Sequence, residues 1–533
     1  MLQALANFWK ELRRRKVIRV AIAYLVVAWL VIEVANVLLP TLLLPEWSLR
    51  LVTALVALGF PVAVVLAWAF NLTVAGLQPE TATKSSTPTR SLPAAGSTVS
   101  RDQRRSILVL PFANLSEDPG HGFFSDGVTE EILDQLSRQP GLRVMSRTTS
   151  FSFRDSNQDL QAIAARLGVE LVLEGSVRRS GQRLRITTKL VDAANDSHLW
   201  SDRYDRELDD IFQVQADIAR RIVSALHLEP QPARELLPPT GAIEAWDFYL
   251  RGRQYLHMLT EKSLDLALQM FRQAIALDPA FARAHAGIAH TESLVAQWFS
   301  HSPEHLESAD LASREALRLA PELADAHAAR GSALSVNGAY AEAAAAFETA
   351  LSIEPGNYDT LYLYGRSRFA AGDAQAASEL WLRAHAAQPD EYQAICLRVT
   401  ALQRLERDQR LEETLREARR VIRLRLDLNP DDQRALNLGS GVMIESGRSE
   451  EGLAMVERLL ALAPTDATSL YSAACSYAHA GHHQRALDLL ERRLEVGQIH
   501  RDWVAQDPDF DGLRDDPRFI ALLQRMAEPP SRS

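Results

Sequence analysis

Few side chains in this sequence have the type and spacing that chemistry requires. His301 and His305 stand four residues apart, which places both imidazoles on one helix face, as a zinc site would need. No third ligand accompanies them, and Ser302-Pro303-Glu304 reads as a helix start, so the pair reads as a solvated first turn. His482 and His483 adjoin Gly481 in a turn between helices. Asp126, Glu130 and Glu131 could form an acid/base cluster. They also follow Ser125, a good N-cap, and read better as acids complementing the positive end of a helix. Arg178, Arg179, Arg183 and Arg185 flank Ser180-Gly181 and form a basic hairpin. That hairpin is a secondary candidate surface for an acidic partner or anionic headgroups, against a plain solvated sheet face. The phosphate-cradling GxxxxGK[ST] and GxGxxG loops, GxSxG and HExxH are all absent from the sequence. Cys396 and Cys475 make neither a disulfide framework nor a metal spacing. No catalytic residue, metal or cofactor is therefore expected.

The elements that would carry a binding surface are clearer. The chain has 533 residues, too many for one core, and a formal net charge of −10, which argues against a general nucleic-acid binder. Prolines 279, 321, 355, 389, 430 and 464 are separated by 42, 34, 34, 41 and 34 residues. Around them recur Gly331, Ala343, Phe347 and Ala350, then Gly365, Ala377, Trp381 and Ala384. Small residues let paired helices approach, Phe347 and Trp381 fill the gaps, and each proline follows a helix it cannot continue. The pattern resembles tetratricopeptide (TPR) arrays over 242–497, as six to seven helix pairs, with a C-terminal cap and tail at 498–533.

Stacked pairs leave a concave face lined by first helices. Repeat position puts Tyr362, Arg366 and Phe369, then Arg434 and Asn437, then Tyr471 on that face. Tyr and Arg are typical anchors for a bound segment, so these six are the candidate partner-binding residues, and a protein or peptide segment is the expected partner. The Lys/Asn/Arg set that clamps a C-terminal carboxylate in some TPR proteins is absent.

Upstream, residues 106–230 alternate strand and helix patterns and read as a small α/β domain. Ile107–Phe112 and Leu142–Met145 read as strands, Leu160–Leu167 as a helix closed by Gly168, Glu170–Val177 and Arg183–Asp192 as an antiparallel pair, and Ile211–Leu228 as a closing helix. SILVLPFANLSEDPGHGFFSDGVTEEILDQLSR, LVLEGSVRRSGQRLRITTKLVDA and HLWSDRYDREL resemble the TolB-like (FlgO-like) domain. That domain stands beside TPR arrays in bacterial regulators and class III adenylate cyclases. The resemblance implies a domain arrangement and brings no reaction. It also leaves no stretch large enough for a cyclase catalytic domain.

At the N-terminus, a basic tail (1–16) precedes two apolar runs, Val17–Leu39 and Leu49–Leu72, each long enough to span a bilayer. Residues 17–72 are thus expected to form a two-helix membrane hairpin, and 73–105 a disordered linker rich in Ser, Thr and Pro. Basic residues on both outer flanks imply cytoplasmic ends. The fold class expected is mainly α: membrane hairpin, α/β domain, then TPR solenoid. The expected function is a bacterial inner-membrane scaffold or regulator, its soluble part cytoplasmic, whose array binds a protein and not nucleic acid. A cyclic-nucleotide signalling component and a periplasmic envelope-assembly factor are the alternatives.

Overall fold

The computed structural model describes residues 104–139, 141–154, 159–228, 240–300, 302–405, 408–496, 504–505 and 507–527. The α/β part is one mixed sheet in the order β3-β1-β4-β5-β6, with β2 pairing on β4. Its strands are β1 (Arg105–Val109), β2 (Ala113–Asn114), β3 (Leu142–Val144), β4 (Leu171–Ser180), β5 (Arg183–Asp192) and β6 (Ser197–Glu207). β1 runs parallel to β3 and β4, while β4, β5 and β6 are antiparallel. On one face lie α1 (Gly122–Ser137) and α4 (Ile211–Ala225); α2 (Arg147–Phe151) and α3 (Leu160–Leu167) complete the domain. Period-two alternation buries Leu184, Ile186 and Leu190 of β5 and turns Arg183 and Arg185 outward. α3 ends on Gly168 at φ 65°, in the left-handed region where glycine carries no Cβ penalty.

Two local expectations change. Ser125 is not a cap: α1 begins three residues earlier, after His121, and Ser125, Asp126, Glu130 and Glu131 are buried within it. β6 is an eleven-residue strand that the turn signals did not delimit. It sets Glu207 opposite Arg183 and Asp205 opposite Arg185, whose Nε lies 2.5 Å from Asp205 Oδ1. The basic hairpin is thereby partly neutralised. Arg179 lies over the Phe124 ring at 5.5 Å, and Arg178 pairs across the strands with Arg185.

The rest is a solenoid of seven helix pairs among the described residues. They are α5 (Ile243–Met258) with α6 (Glu261–Leu277), α7 (Ala282–Trp298) with α8 (Pro303–Leu319), α9 (Ala324–Val336) with α10 (Tyr340–Ile353) and α11 (Tyr358–Ala370) with α12 (Ala374–Ala387). Then come α13 (Tyr392–Arg404) with α14 (Asp408–Leu428), α15 (Gln433–Glu445) with α16 (Ser449–Leu462) and α17 (Ala467–His479) with α18 (His483–Val496). A 3-10 turn (Pro508–Leu513) and α19 (Pro517–Ala527) cover the last pair with Phe510 and Phe519. Glycine sets the close approach within a pair. A Cβ on Gly331 would meet the Phe347 ring at 2.8 Å, and one on Gly365 would meet Trp381 Nε1 at 2.4 Å.

Among the described residues, no helix is long and apolar enough to cross a membrane. The longest, α14, has 21 residues but is studded with Arg and Glu, where a span needs about 20 predominantly apolar ones. This overturns the expected two-span inner-membrane localisation, and with it the membrane contact and the charge-based placement of the soluble part. The segments behind that expectation, 17–39 and 49–72, lie outside the described residues, as do residues 73–103 of the expected linker.

Candidate functional site

The array curls back on the α/β domain and touches it in two zones. In the first, α1 packs against α5. Trp246 is fully buried, with Tyr249 stacked on it at 5.2 Å and Phe212 edge-on at 5.0 Å. Gly127 permits this approach, because a Cβ there would sit 2.3 Å from Leu250 Cδ1. Buried charge completes the seam. Glu130, 2% exposed, accepts from Arg147 Nε at 2.5 Å and faces Arg253 Nη2 at 3.3 Å. Burial pushes its carboxyl up, but Arg147 and Arg253 outweigh that and hold it at about 2. Glu131 faces Arg253 at 3.3 Å and Arg283 at 3.4 Å, and Asp126 faces Arg154 at 2.6 Å while accepting from Gln254 Nε2 at 2.7 Å.

The second zone lies far along the chain. The Ser146 N–H and Oγ–H both donate to Asp390 Oδ2, at 2.9 and 2.7 Å. Arg425 Nη1 donates to the Thr148 carbonyl at 3.0 Å and to Ser152 Oγ at 2.5 Å, while its Nε pairs with Asp432 at 2.5 Å. Arg138 and Glu354 add an ion pair at 3.1 Å. Burial first, and Asp390 beside it, push the Glu391 carboxyl up to about 7.

Between the zones, the α/β domain and the concave face enclose a cavity of about 1790 Å³. Its α/β wall carries Asp134, Arg138 and Arg147, and its array wall carries Arg253, His257, His290, Trp298, Asp359 and Tyr362. Burial holds His257 at about 3, with Arg147 adding to the effect, and His290 at about 4, with Arg366 adding to it, so both imidazoles are neutral at pH 7.

The structure brings three of the six groove candidates together and separates the others. Arg366 lies 4.8 Å and Arg434 5.3 Å from the centre of the Trp298 ring. Arg366 Nη1 donates to Tyr362 Oη at 3.3 Å, and that hydroxyl donates to Gln393 Oε1 at 3.4 Å. Burial raises the Tyr362 phenol, but Arg366 and Arg434 more than reverse it, leaving it below the usual phenol range. Neither arginine has a carboxylate within ion-pair distance among the described residues, and Arg434 Nε is buried without a partner. The other three tie the array to itself. Phe369 packs on Trp381 at 5.7 Å and beneath Arg404 at 4.2 Å. Asn437 donates to Ser472 Oγ at 3.1 Å, and Tyr471 donates to Asp507 Oδ2 at 2.5 Å.

Trp298 was not among the sequence candidates. It ends the helix of a pair whose turn is lengthened, so it falls outside the 34-residue register. His305 Nδ1 lies 2.7 Å from Glu292 Oε2, an internal contact; His301 lies outside the described residues.

The family model described as "Tetratricopeptide repeat" matches residues 337–398, and the chain carries TPR repeats. A second model, "HilA/YgeH-like transcriptional regulator, second domain", matches residues 103–221, a different description from the TolB-like one its sequence suggests. A curated protein of Rhizobium meliloti (strain 1021) named "Putative adenylate cyclase 3" is 39% identical over 222 residues, or 40% of this chain. The chain spans only 37% of that protein's length. Among solved structures, human IFIT1 with m7Gppp-AAAA is similar at 19% identity and a TM-score of 0.42, over 59% of this chain and 70% of that one. YrrB, described as "a TPR protein with an unusual peptide-binding site", is similar at 19% identity and a TM-score of 0.25, over 34% of this chain and 91% of that one. At these scores neither likeness carries a functional implication.

Proposed function

We propose that this protein is a scaffold or regulator that holds an extended protein segment against the concave face of its TPR array. The observation that carries this reading is the Trp298, Tyr362, Arg366 and Arg434 cluster, with two guanidiniums on one indole and, among the described residues, no carboxylate within ion-pair distance of them. An acidic side chain of the segment fits there, because Arg binds carboxylates through paired N–H donors. A backbone running past Trp298 and Tyr362 would place apolar side chains on their rings. The α/β domain, TolB-like by its sequence, forms the opposite wall of the cavity and limits what enters.

Selection of a random peptide library on the full chain tests the reading. Enriched peptides should carry Asp or Glu next to an apolar residue, and Arg366→Ala with Arg434→Ala should weaken them at least tenfold without changing helix content. Selection that enriches nothing, or peptides that bind the double variant equally, would overturn it. A second reading, a component of cyclic-nucleotide signalling, is favoured by the name of the Rhizobium relative. Robust cyclic-nucleotide production by the purified chain with ATP or GTP and Mg²⁺ or Mn²⁺ would establish that reading over a scaffold alone.

A further inference from the structure

A separate cleft of about 580 Å³ opens between α3 of the α/β domain and α14 of the array. Arg166, Arg416, Arg419, Arg420, Arg423 and Arg448 line it, with Asp427 the single acid in its wall. Arg420 is answered by Glu417 at 2.6 Å, and Arg423 and Arg448 share Glu451 at 3.3 and 2.6 Å. Arg166, Arg416 and Arg419 have neither an ion pair nor a hydrogen bond to a side chain or backbone group among the described residues. Arg416, Arg419, Arg420 and Arg423 follow three- and four-residue spacing and share one helix face. Like charges so placed cost a helix a few tenths of a kcal/mol per pair. Ion pairs account for Arg420, Arg423 and Arg448; a bound anion would account for Arg166, Arg416 and Arg419 beside them.

We infer that this cleft binds a small molecule carrying two or more adjacent phosphate groups. The chemistry of the wall selects the class. No aromatic ring or side-chain amide lines it, so it reads charge and not a base or a sugar. A terminal phosphate brings about −1.5 to −2 charge, and each adjacent bridging phosphate adds about −1, so a short run of them balances the unpaired guanidiniums within this volume. Guanidinium forks also match phosphate oxygens in pairs. The ligand would bridge the two parts of the molecule, since Arg166 belongs to the α/β domain and the other five arginines to the array. Free oligophosphate and the tail of a nucleoside triphosphate present the same chemistry.

Calorimetric titration of the full chain at fixed ionic strength tests this, with sodium tripolyphosphate, ATP, adenosine and sulfate as probes. Tripolyphosphate and ATP should bind, adenosine should not, and sulfate should be at least tenfold weaker. Equal affinities for the first two identify the phosphate chain as the whole determinant and uphold the site; ATP at least tenfold tighter would show that a base or sugar is read and would overturn the inference. Arg416→Glu and Arg166→Glu should each weaken tripolyphosphate at least tenfold. Arg383→Glu, the same charge change at an exposed position of α12, should leave it within twofold. Because neither Arg416 nor Arg166 holds a hydrogen bond among the described residues, unchanged circular dichroism is the control for folding. Equal binding of sulfate, or an equal loss in Arg383→Glu, would reduce the cleft to general electrostatics and sink the inference; so would no binding of either phosphate probe.

Discussion

Glu130→Gln removes a buried carboxylate that pairs with Arg147 within the α/β domain and with Arg253 across the seam to the array. Glu130 is 2% exposed and held at about 2, against 4.5 for an ordinary Glu. A difference of that size corresponds to roughly 3 kcal/mol, at 1.36 kcal/mol per unit. Removing one member of a buried ion pair independently costs about 3–5 kcal/mol, so the two routes agree. The sign follows from linkage. The folded value is depressed, so the contribution is present in full above about pH 4.5 and is lost as pH falls toward 2. Wild type and Glu130→Gln should differ by about 3 kcal/mol in urea unfolding at pH 7 and converge between pH 4.5 and 2. Comparing the two proteins at each pH cancels the titration of Glu391, whose raised carboxyl works in the opposite sense. Two results would refute the reasoning: a cost below about 1 kcal/mol at pH 7, or a gap that does not close in acid.

Trp381→Ala should destabilise the array by about 3–5 kcal/mol, read from thermal or urea melts. Trp381 is 1% exposed, and its Nε1 donates to the Tyr362 carbonyl at 3.2 Å. Gly127→Val should separate α1 from α5, since the added Cβ would overlap Leu250; faster amide exchange in 243–258 would report it. Asp390→Ala with Arg425→Ala should free 146–152 from the array, and proteolysis within that segment should rise severalfold while α1 and α5 stay protected. A cleavage pattern matching wild type would show that the second contact zone contributes nothing to closure.

What the sequence revealed follows from how far apart the interacting residues lie. The solenoid was legible because its packing repeats locally. Phe347 and Trp381 are buried where the pattern put them, and α10 and α12 each stop two residues short of Pro355 and Pro389. Strand β5 was legible because period two is also local. Asp126, Glu130 and Glu131 look like ordinary first-turn acids, because the partners that bury them include Arg253, Gln254 and Arg283, more than a hundred residues downstream. The same distance hid the contact between Arg425 and Thr148, and so the cavity it closes. Three groove candidates could be gathered by repeat arithmetic, but their centre, Trp298, lies in an irregular pair.

Ser152 and Arg425 are 273 residues apart, and that separation sets an order of events on the ribosome. At about 5–20 residues per second, roughly 14–55 seconds pass between synthesis of the two sides of the second contact zone. The α/β sheet and α5 are made early enough to fold together, since their seam needs nothing beyond the second helix pair. Each later pair then adds to a growing edge, with its apolar face exposed until the next one emerges. The wall of the cavity that faces the array is therefore bathed in solvent until residues 390–432 have emerged and closed the second contact zone. A nascent chain stalled after α12 would display the charged seam fully formed, beside an open concave surface. Any cellular factor that engages the inner wall would have its freest access during that interval.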